Sequence, residues 1–213
     1  MNLAASHDAP RVLTSLYNDN SYKYHSAPNG DNDYKIHKPD AATYKTLKML
    51  LTQQFTYIGA PHIWAGDEMG MWGADDPSTR KPLVWPDYDF EPETDHPLDK
   101  SRPKDKVKFN EDLFRFYQKL IRIRKENPVL SHGKIEYLAQ DNKDKVLAYR
   151  RYNGENEVIA VFNNGQKPVQ FTLPVKTSSE FADALQNAKI EKGNNKIKIE
   201  LESRKAGILM AEN

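Results

Sequence analysis

The 213-residue chain contains no cysteine. That excludes disulfides, thiolate catalysis and cysteine-ligated zinc or iron–sulfur sites, and it says nothing of compartment. Net charge is nearly absent as well: 31 basic residues face 30 acidic ones, a formal charge of +1. Such a balance gives no electrostatic case for nucleic acid or an anionic membrane surface as partner. No apolar run approaches the roughly 20 residues that span a bilayer, so no transmembrane helix is expected. Residues 1–6 lack a basic start and a long apolar stretch, and no signal peptide is expected there. What the chain does have is bulky core material, 11 Tyr, 8 Phe and 3 Trp, which argues against disorder.

The sequence changes character near Gly133. Before it, aromatic and proline-rich loops alternate with two helical patterns. The spacing predicts one helix over residues 41–57, with Asp40 as N-cap and Tyr44, Leu47, Leu51, Phe55 and Ile58 as its apolar stripe. His62-Ile63-Trp64-Ala65, bounded by Pro61 and Gly66, reads as a buried strand. A second helix begins after Asn110 and buries Leu113, Phe116, Leu120 and Ile123. Arg122, Arg124 and Lys125 complement its C-terminal dipole, and Asn127-Pro128 ends it. Between the helices, residues 68–109 form a loop with six prolines, a length uncommon unless it carries function.

After Gly133 the pattern is all-β. Strands are expected over 145–152, 157–162, 169–173, 196–201 and 207–210, with Asn153-Gly154 as a hairpin turn. Residues 196–201 alternate strictly between polar and apolar, so one face meets a core and the other water. A small antiparallel sandwich is the natural reading.

Ser6-His7-Asp8 is the first chemical candidate. A Ser-His-Asp triad is excluded on the ground that adjacent side chains diverge and cannot relay a proton. A metal-holding His-Asp pair would need further ligands, and His25, His37 and His62 show no such framework. The context is more informative. Asn2-Leu3-Ala4-Ala5 is a short apolar strand ending at His7-Asp8, and residues 60–71 repeat that design with Asp67-Glu68 after the strand. Two β/α units with polar groups at the carboxyl ends of their strands match the placement of active sites in α/β barrels. Asp67 and Glu68 are adjacent and cannot flank one bond from opposite sides, so they are expected to orient the rim. Trp72 and Trp85 could stack on sugar rings or pack the loop, and packing is the expected role. The charge run over 100–108 reads as a solvated loop.

Three motifs then combine in order: Ser6-His7-Asp8-x-Pro10-Arg11, then Pro61-x-Ile63-x-x-Gly66-Asp67-Glu68-x-Gly70-Met71, then Asp75-Asp76-Pro77-x-x-Arg80-Lys81-Pro82-x-x-Trp85. Together they resemble the α-amylase family of glycoside hydrolases (glycoside hydrolase family 13), and within it the neopullulanase and cyclomaltodextrinase group. The resemblance implies that residues 1–132 correspond to the end of a (β/α)8 catalytic barrel, from strand seven to helix eight, and residues 134–213 to the β-sandwich domain that follows. It implies a retaining hydrolase of α-1,4 glucosidic bonds, with α-1,6 bonds as a second class, acting on an α-glucan without cofactor or metal. Asp8 becomes the carboxylate that steadies the distorted, oxocarbenium-like sugar, and His7 binds the same glucose unit. Asp76 and Arg80 match positions that bind more distant sugars; a structural Asp–Arg pair pinning the loop fits those two residues equally well. A non-catalytic carbohydrate-binding module is the alternative from another functional class, and a metal-dependent phosphohydrolase built on His7-Asp8 is a third.

The family's nucleophile and general acid lie in strand-ending motifs of the Gly-x-Arg-x-Asp and Gly-Glu type, and neither strand-ending motif occurs here. The chain is therefore expected to be a C-terminal piece of the enzyme and inactive alone. Strand edges and apolar faces without their barrel neighbours invite self-association. Sedimentation velocity at tens of micromolar is expected to show a dimer or higher oligomer, and a clean monomer would contradict this.

Overall fold

A computed structural model of the chain describes residues 2, 4–18, 34–74, 78–96, 100–154, 156–177 and 179–212. The chain divides into two compact units, Met1–Leu47 with Pro61–Gln118 and Lys48–Ala60 with Lys119–Asn213. No helix among the described residues is long and apolar enough to cross a membrane.

Among the described residues four α-helices precede the β-rich part: α1 (Val12–Tyr17), α2 (Ala41–Thr56), α3 (Glu111–Glu126) and α4 (Val129–His132). The caps read from the sequence are in place. Asp40 Oδ1 accepts from Thr43 N and Thr43 Oγ1, both at 2.8 Å, and these bonds, the backbone one first, hold its carboxyl below the usual range. Asn110 Oδ1 accepts from Leu113 N at 3.0 Å. Two details differ from the periodic reading. Ile58 lies beyond the end of α2 and is exposed, and Tyr117 rather than Phe116 takes the fully buried place on α3. The short α4 follows Pro128 and was not legible as a helix.

In the first unit the two expected strands reduce to one rung. Asn2 and Pro61 form an isolated parallel bridge, with His62 N donating to Asn2 O at 3.0 Å. Residues 62–64 are half-buried rather than buried. Parallel ladders are stable when both edges are paired and both faces are covered. Among the described residues neither segment has a second strand beside it, so the extended conformation propagates no further. Asn18 caps the C-terminal end of α1: its Nδ2 donates to Thr14 O and Lys35 O, and its Oδ1 accepts from Lys35 N at 2.7 Å.

The described residues of the second unit form eight strands: β1 (Lys134–Asp141), β2 (Val146–Asn153), β3 (Asn156–Asn163), β4 (Val169–Pro174), β5 (Phe181–Asp183), β6 (Ala188–Gly193), β7 (Lys196–Leu201) and β8 (Lys205–Ala211). They form an antiparallel five-stranded sheet, β1-β2-β3-β8-β5, and a three-stranded sheet, β4-β7-β6. One apolar cluster joins them, with Ile159, Val161 and Leu209 from the first sheet meeting Leu173, Ile197 and Ile199 from the second. This is the sandwich that the sequence implied. β7 buries every second residue, as its alternation requires, while Lys189 on β6 pairs with Glu200 across the exposed face at 2.9 Å. Strands β1, β5 and β6 were not anticipated. β5 has three residues, β1 is mostly exposed with a bulge after Tyr137, and β6 alternates only over Ala188 to Glu191 before its exposed end, so none carries a long two-residue pattern. Gly154 closes the β2–β3 hairpin with φ +63°, a conformation glycine enters without a Cβ penalty. The chain's sole Gly-Glu dipeptide is Gly154-Glu155, past Gly133 in the sequence, and its Glu155 lies outside the described residues.

Arg151 organises the second unit. Its guanidinium is fully buried, and Nη1 donates to Thr56 O (3.0 Å), Tyr57 O (2.9 Å) and Leu130 O (2.8 Å) while Nη2 donates to Gly133 O at 2.8 Å. Arg124 adds donations to Phe55 O (2.6 Å) and Gly59 O (2.7 Å). Two arginines thus satisfy the carbonyls at the end of α2, which have no partner inside the helix. Replacing Arg151 with Met keeps the stem but strands four carbonyls. The expected cost is about 3 kcal/mol of unfolding free energy, read as a lowered urea midpoint for the β-rich unit.

Candidate functional site

The site lies in the first unit, on the turn that follows the Asn2 bridge. Residues 7 and 8 form a turn rather than an extended strand, which changes the geometry expected for adjacent side chains. They converge: His7 Nε2 lies 3.0 Å from Asp8 Oδ2. The other carboxylate oxygen, Oδ1, accepts from Arg80 Nη2 at 3.2 Å. Arg80 also donates from Nε to the His7 carbonyl at 3.4 Å, and Thr79 Oγ1 donates to the same oxygen at 3.2 Å. One short 3₁₀ helix, Ser78–Arg80, therefore grips both the backbone and the carboxylate of the His7-Asp8 turn. The Asp8 side chain is nonetheless 59 % exposed. Exposed ion pairs contribute little to stability, so this arrangement orients a carboxylate toward solvent more than it stabilises the fold.

Beneath the turn sits a buried pair. Arg11 is 1 % exposed; its Nη1 donates to Asp67 Oδ1 at 2.9 Å and to Ala65 O at 3.0 Å, and its backbone N donates to Gly73 O at 3.0 Å. Gly66 makes room for it. A Cβ there would lie 2.4 Å from Met71 Sδ and 3.2 Å from Arg11 Nη1, and its φ of +98° already favours glycine. Glu68 turns back to accept from Gly66 N at 2.9 Å. Asp67 and Glu68 thus hold the turn that follows residues 61–65. Arg11 stood in the motif, but nothing in its spacing disclosed that it would be buried.

Trp64 places its ring 5.9 Å from that of His7, a neighbour that the sequence reading did not single out. Asp76 lies outside the described residues, as does His25. Trp72 is 4 % exposed and packs, whereas Trp85 is 48 % exposed. The charge run is not uniformly solvated: the Arg102 side chain is 2 % exposed and bonds to Glu93 at 3.2 Å and to Asp105. Two carboxylates on opposite strands of the loop, joined by the Glu93–Asp105 bridge, draw it inward. Among the described residues no three His, Asp or Glu side chains gather as a metal site.

Burial pushes the Asp67 carboxyl up to about 7, against the opposing pull of Arg11 and with Glu68 adding in the same direction. A carboxyl that holds its proton more tightly folded than unfolded makes the folded state lose stability as pH rises from the ordinary aspartate value, about 4, to about 7. The urea midpoint of the first unit, followed by the fluorescence of its three tryptophans, is expected to fall over that range. Asp67→Asn should flatten the dependence; an unchanged slope in the variant would contradict the assignment.

Comparison with known proteins bears on this geometry. The family model described as "Alpha amylase, catalytic domain" matches residues 1–133, and "Maltogenic Amylase, C-terminal domain" matches residues 135–208. A cyclomaltodextrinase of Geobacillus thermopakistaniensis is 28 % identical over 174 residues, 82 % of this chain and 22 % of that protein. Neopullulanase 2 of Thermoactinomyces vulgaris is 28 % identical over 210 residues, 98 % of this chain and 28 % of its own length. The crystal structure of an Anoxybacillus α-amylase superposes with a TM-score of 0.67 at 20 % identity, over 97 % of this chain and 37 % of that one. The last likeness speaks to fold alone. This chain therefore spans about a quarter of its curated relatives. Since the catalytic-domain match covers more than half of it and runs into the matching C-terminal domain, the chain belongs to the α-amylase family of glycoside hydrolases and carries the end of the catalytic barrel with the antiparallel domain beyond.

Proposed function

We propose that this chain supplies the third essential carboxylate and part of the sugar-binding rim of a retaining α-glucan hydrolase. In this reading residues 1–132 form the barrel's closing part and residues 134–213 the sandwich domain. The observation that carries it is Asp8, a carboxylate held through both oxygens by His7 and Arg80 yet open to solvent. Such a group accepts hydrogen bonds from sugar hydroxyls, and charge assistance strengthens those bonds. As the glycosidic bond stretches, positive charge grows on the sugar ring, and a fixed negative charge beside it lowers the barrier. Ring distortion and tightened hydroxyl contacts add several kcal/mol in glycosidases. His7 borders the same glucose unit, while Asp76 and Arg80 extend the contacts to sugars farther along. Arg80's hold on Asp8 makes it a positioning residue as well. The α-1,4 bond is the substrate linkage, with α-1,6 as the second; the relatives named neopullulanase and cyclomaltodextrinase support that class.

Retaining chemistry needs a nucleophile and an acid/base roughly 5–5.5 Å apart; no Gly-x-Arg-x-Asp occurs in this sequence, and its one Gly-Glu lies past residue 133. The chain alone binds sugar but cannot cleave it, and it associates with further copies through the sparsely paired segments around Asn2 and Pro61. A purely sugar-binding module is the second reading, favoured by exposed Trp85 and weakened by the burial of Trp72.

The purified chain is expected to release no reducing sugar from pullulan, cyclodextrin or starch. Asp8→Asn should weaken maltooligosaccharide binding about tenfold while leaving the thermal midpoint within a degree or so, since the side chain is exposed. Sugar release by the chain, or unchanged binding in the variant, would overturn the assignment.

A further inference from the structure

Trp64 stands between the exposed His7-Asp8 turn and the buried Arg11–Asp67 pair. Its backbone is fixed on both sides. His62 N donates to Asn2 O at 3.0 Å, Asp67 N donates to the Trp64 carbonyl at 3.0 Å, and the next carbonyl, Ala65 O, accepts from Arg11 Nη1 at 3.0 Å. A side chain on a backbone held at neighbouring points keeps little freedom beyond its own rotamers.

The half-buried indole makes two ring contacts. The His7 imidazole lies 5.9 Å away, centroid to centroid, at a tilt of 42°, inside the roughly 4.5–7 Å over which aromatic pairs attract. The Arg11 guanidinium lies 5.9 Å from the indole centroid, within the reach of about 6 Å for a cation–π contact. Arg11 is sealed from water and bound to Asp67 Oδ1 at 2.9 Å, so this neighbour is immobile. His7 differs: its side chain is 55 % exposed, and exposed side chains exchange rotamers rapidly unless something holds them. Asp8 Oδ2, 3.0 Å from His7 Nε2, is one restraint, but that carboxylate is itself exposed and belongs to the same turn. Trp64 connects the imidazole to the immobile layer. How the indole is held points the same way. Its Nε1 is buried without a hydrogen-bond partner among the described residues, so its ring contacts rather than a polar bond set its place. A phenyl ring can therefore stand in for it, whereas an aliphatic side chain has no quadrupole to offer a cation or an imidazole.

We propose that Trp64 is a positioning residue, which fixes the His7 imidazole in the orientation that presents Nε2 to Asp8 and so keeps both groups aligned for a glucose unit. The alignment toward glucose rests on the α-glucan reading above; the hold on His7 rests on the geometry alone. Trp64 touches no sugar in this role. It spares the cost of ordering a mobile imidazole when the ligand arrives, which is worth about two- to tenfold in affinity.

The test uses the full chain labelled with ¹³C and ¹⁵N. Vicinal couplings of His7, read without sugar, are expected to report a single χ1 rotamer in the unsubstituted chain and in Trp64→Phe, and an average over rotamers in Trp64→Leu. The β-branched Trp64→Ile replaces the leucine variant if that one does not fold. Averaged couplings in the unsubstituted chain, or a single rotamer in the aliphatic variant, would overturn the proposal. Calorimetry with maltotriose reads the consequence: Trp64→Leu should bind about fivefold more weakly, and Trp64→Phe within about twofold of the unsubstituted chain. A double-variant cycle separates positioning from general packing. In a His7→Ala background Trp64→Leu should cost nothing further, since the group it acts through is gone; additive losses would make Trp64 a packing residue only and overturn the proposal. If His7→Ala and Asp8→Asn both bind maltotriose as tightly as the unsubstituted chain, the α-glucan reading falls, and the His7 couplings decide by themselves whether Trp64 positions the imidazole.

Discussion

A guanidinium sealed from water sets the geometry of the site. Arg11 stands three residues after Asp8, and its burial is possible because Asp67 and the Ala65 carbonyl meet it. Removing the arginine would leave the Asp67 carboxyl without its cation, in surroundings that already favour the protonated form. The consequence is positional. The turn bearing His7 and Asp8 and the loop that follows the second parallel segment are tied at one point, and Arg80 reaches Asp8 from that loop. The pair holds in place what a single rung of parallel bridge could not.

The same device recurs in the second unit with different partners. Arg151 donates to four backbone carbonyls. Helix ends and loops leave carbonyls that must be satisfied once buried. A long, forked cation can satisfy several at once, with a geometry that a lysine cannot reproduce. In the loop, Arg102 draws Glu93 and Asp105 together in the same manner. Arginine thus organises the irregular parts, and apolar burial organises the sandwich.

Two carboxylates of the first unit answer to different surroundings. Asp8 lies open to solvent between His7 and Arg80. Asp67 is sealed beside a single arginine, and its carboxyl is pushed up by burial.

The sequence by itself determined the elements whose signal is local. Asp40 and Asn110 announce helix starts because a short side-chain acceptor is needed where backbone donors are free, and β7 announces itself because its alternation is strict. The order of the short motifs was likewise sufficient for the family. Only the tertiary structure decided that the segments at Asn2 and Pro61 share a single bridge, because strand extension depends on neighbours that no local pattern reveals. It also decided that His7 and Asp8 converge, since a turn redirects side chains that an extended chain would splay apart. Arg11, Arg102 and Arg151 look in the sequence like any surface cation. Their burial comes from acceptors far along the chain, and long-range pairing of that kind is written in three dimensions and not in spacing.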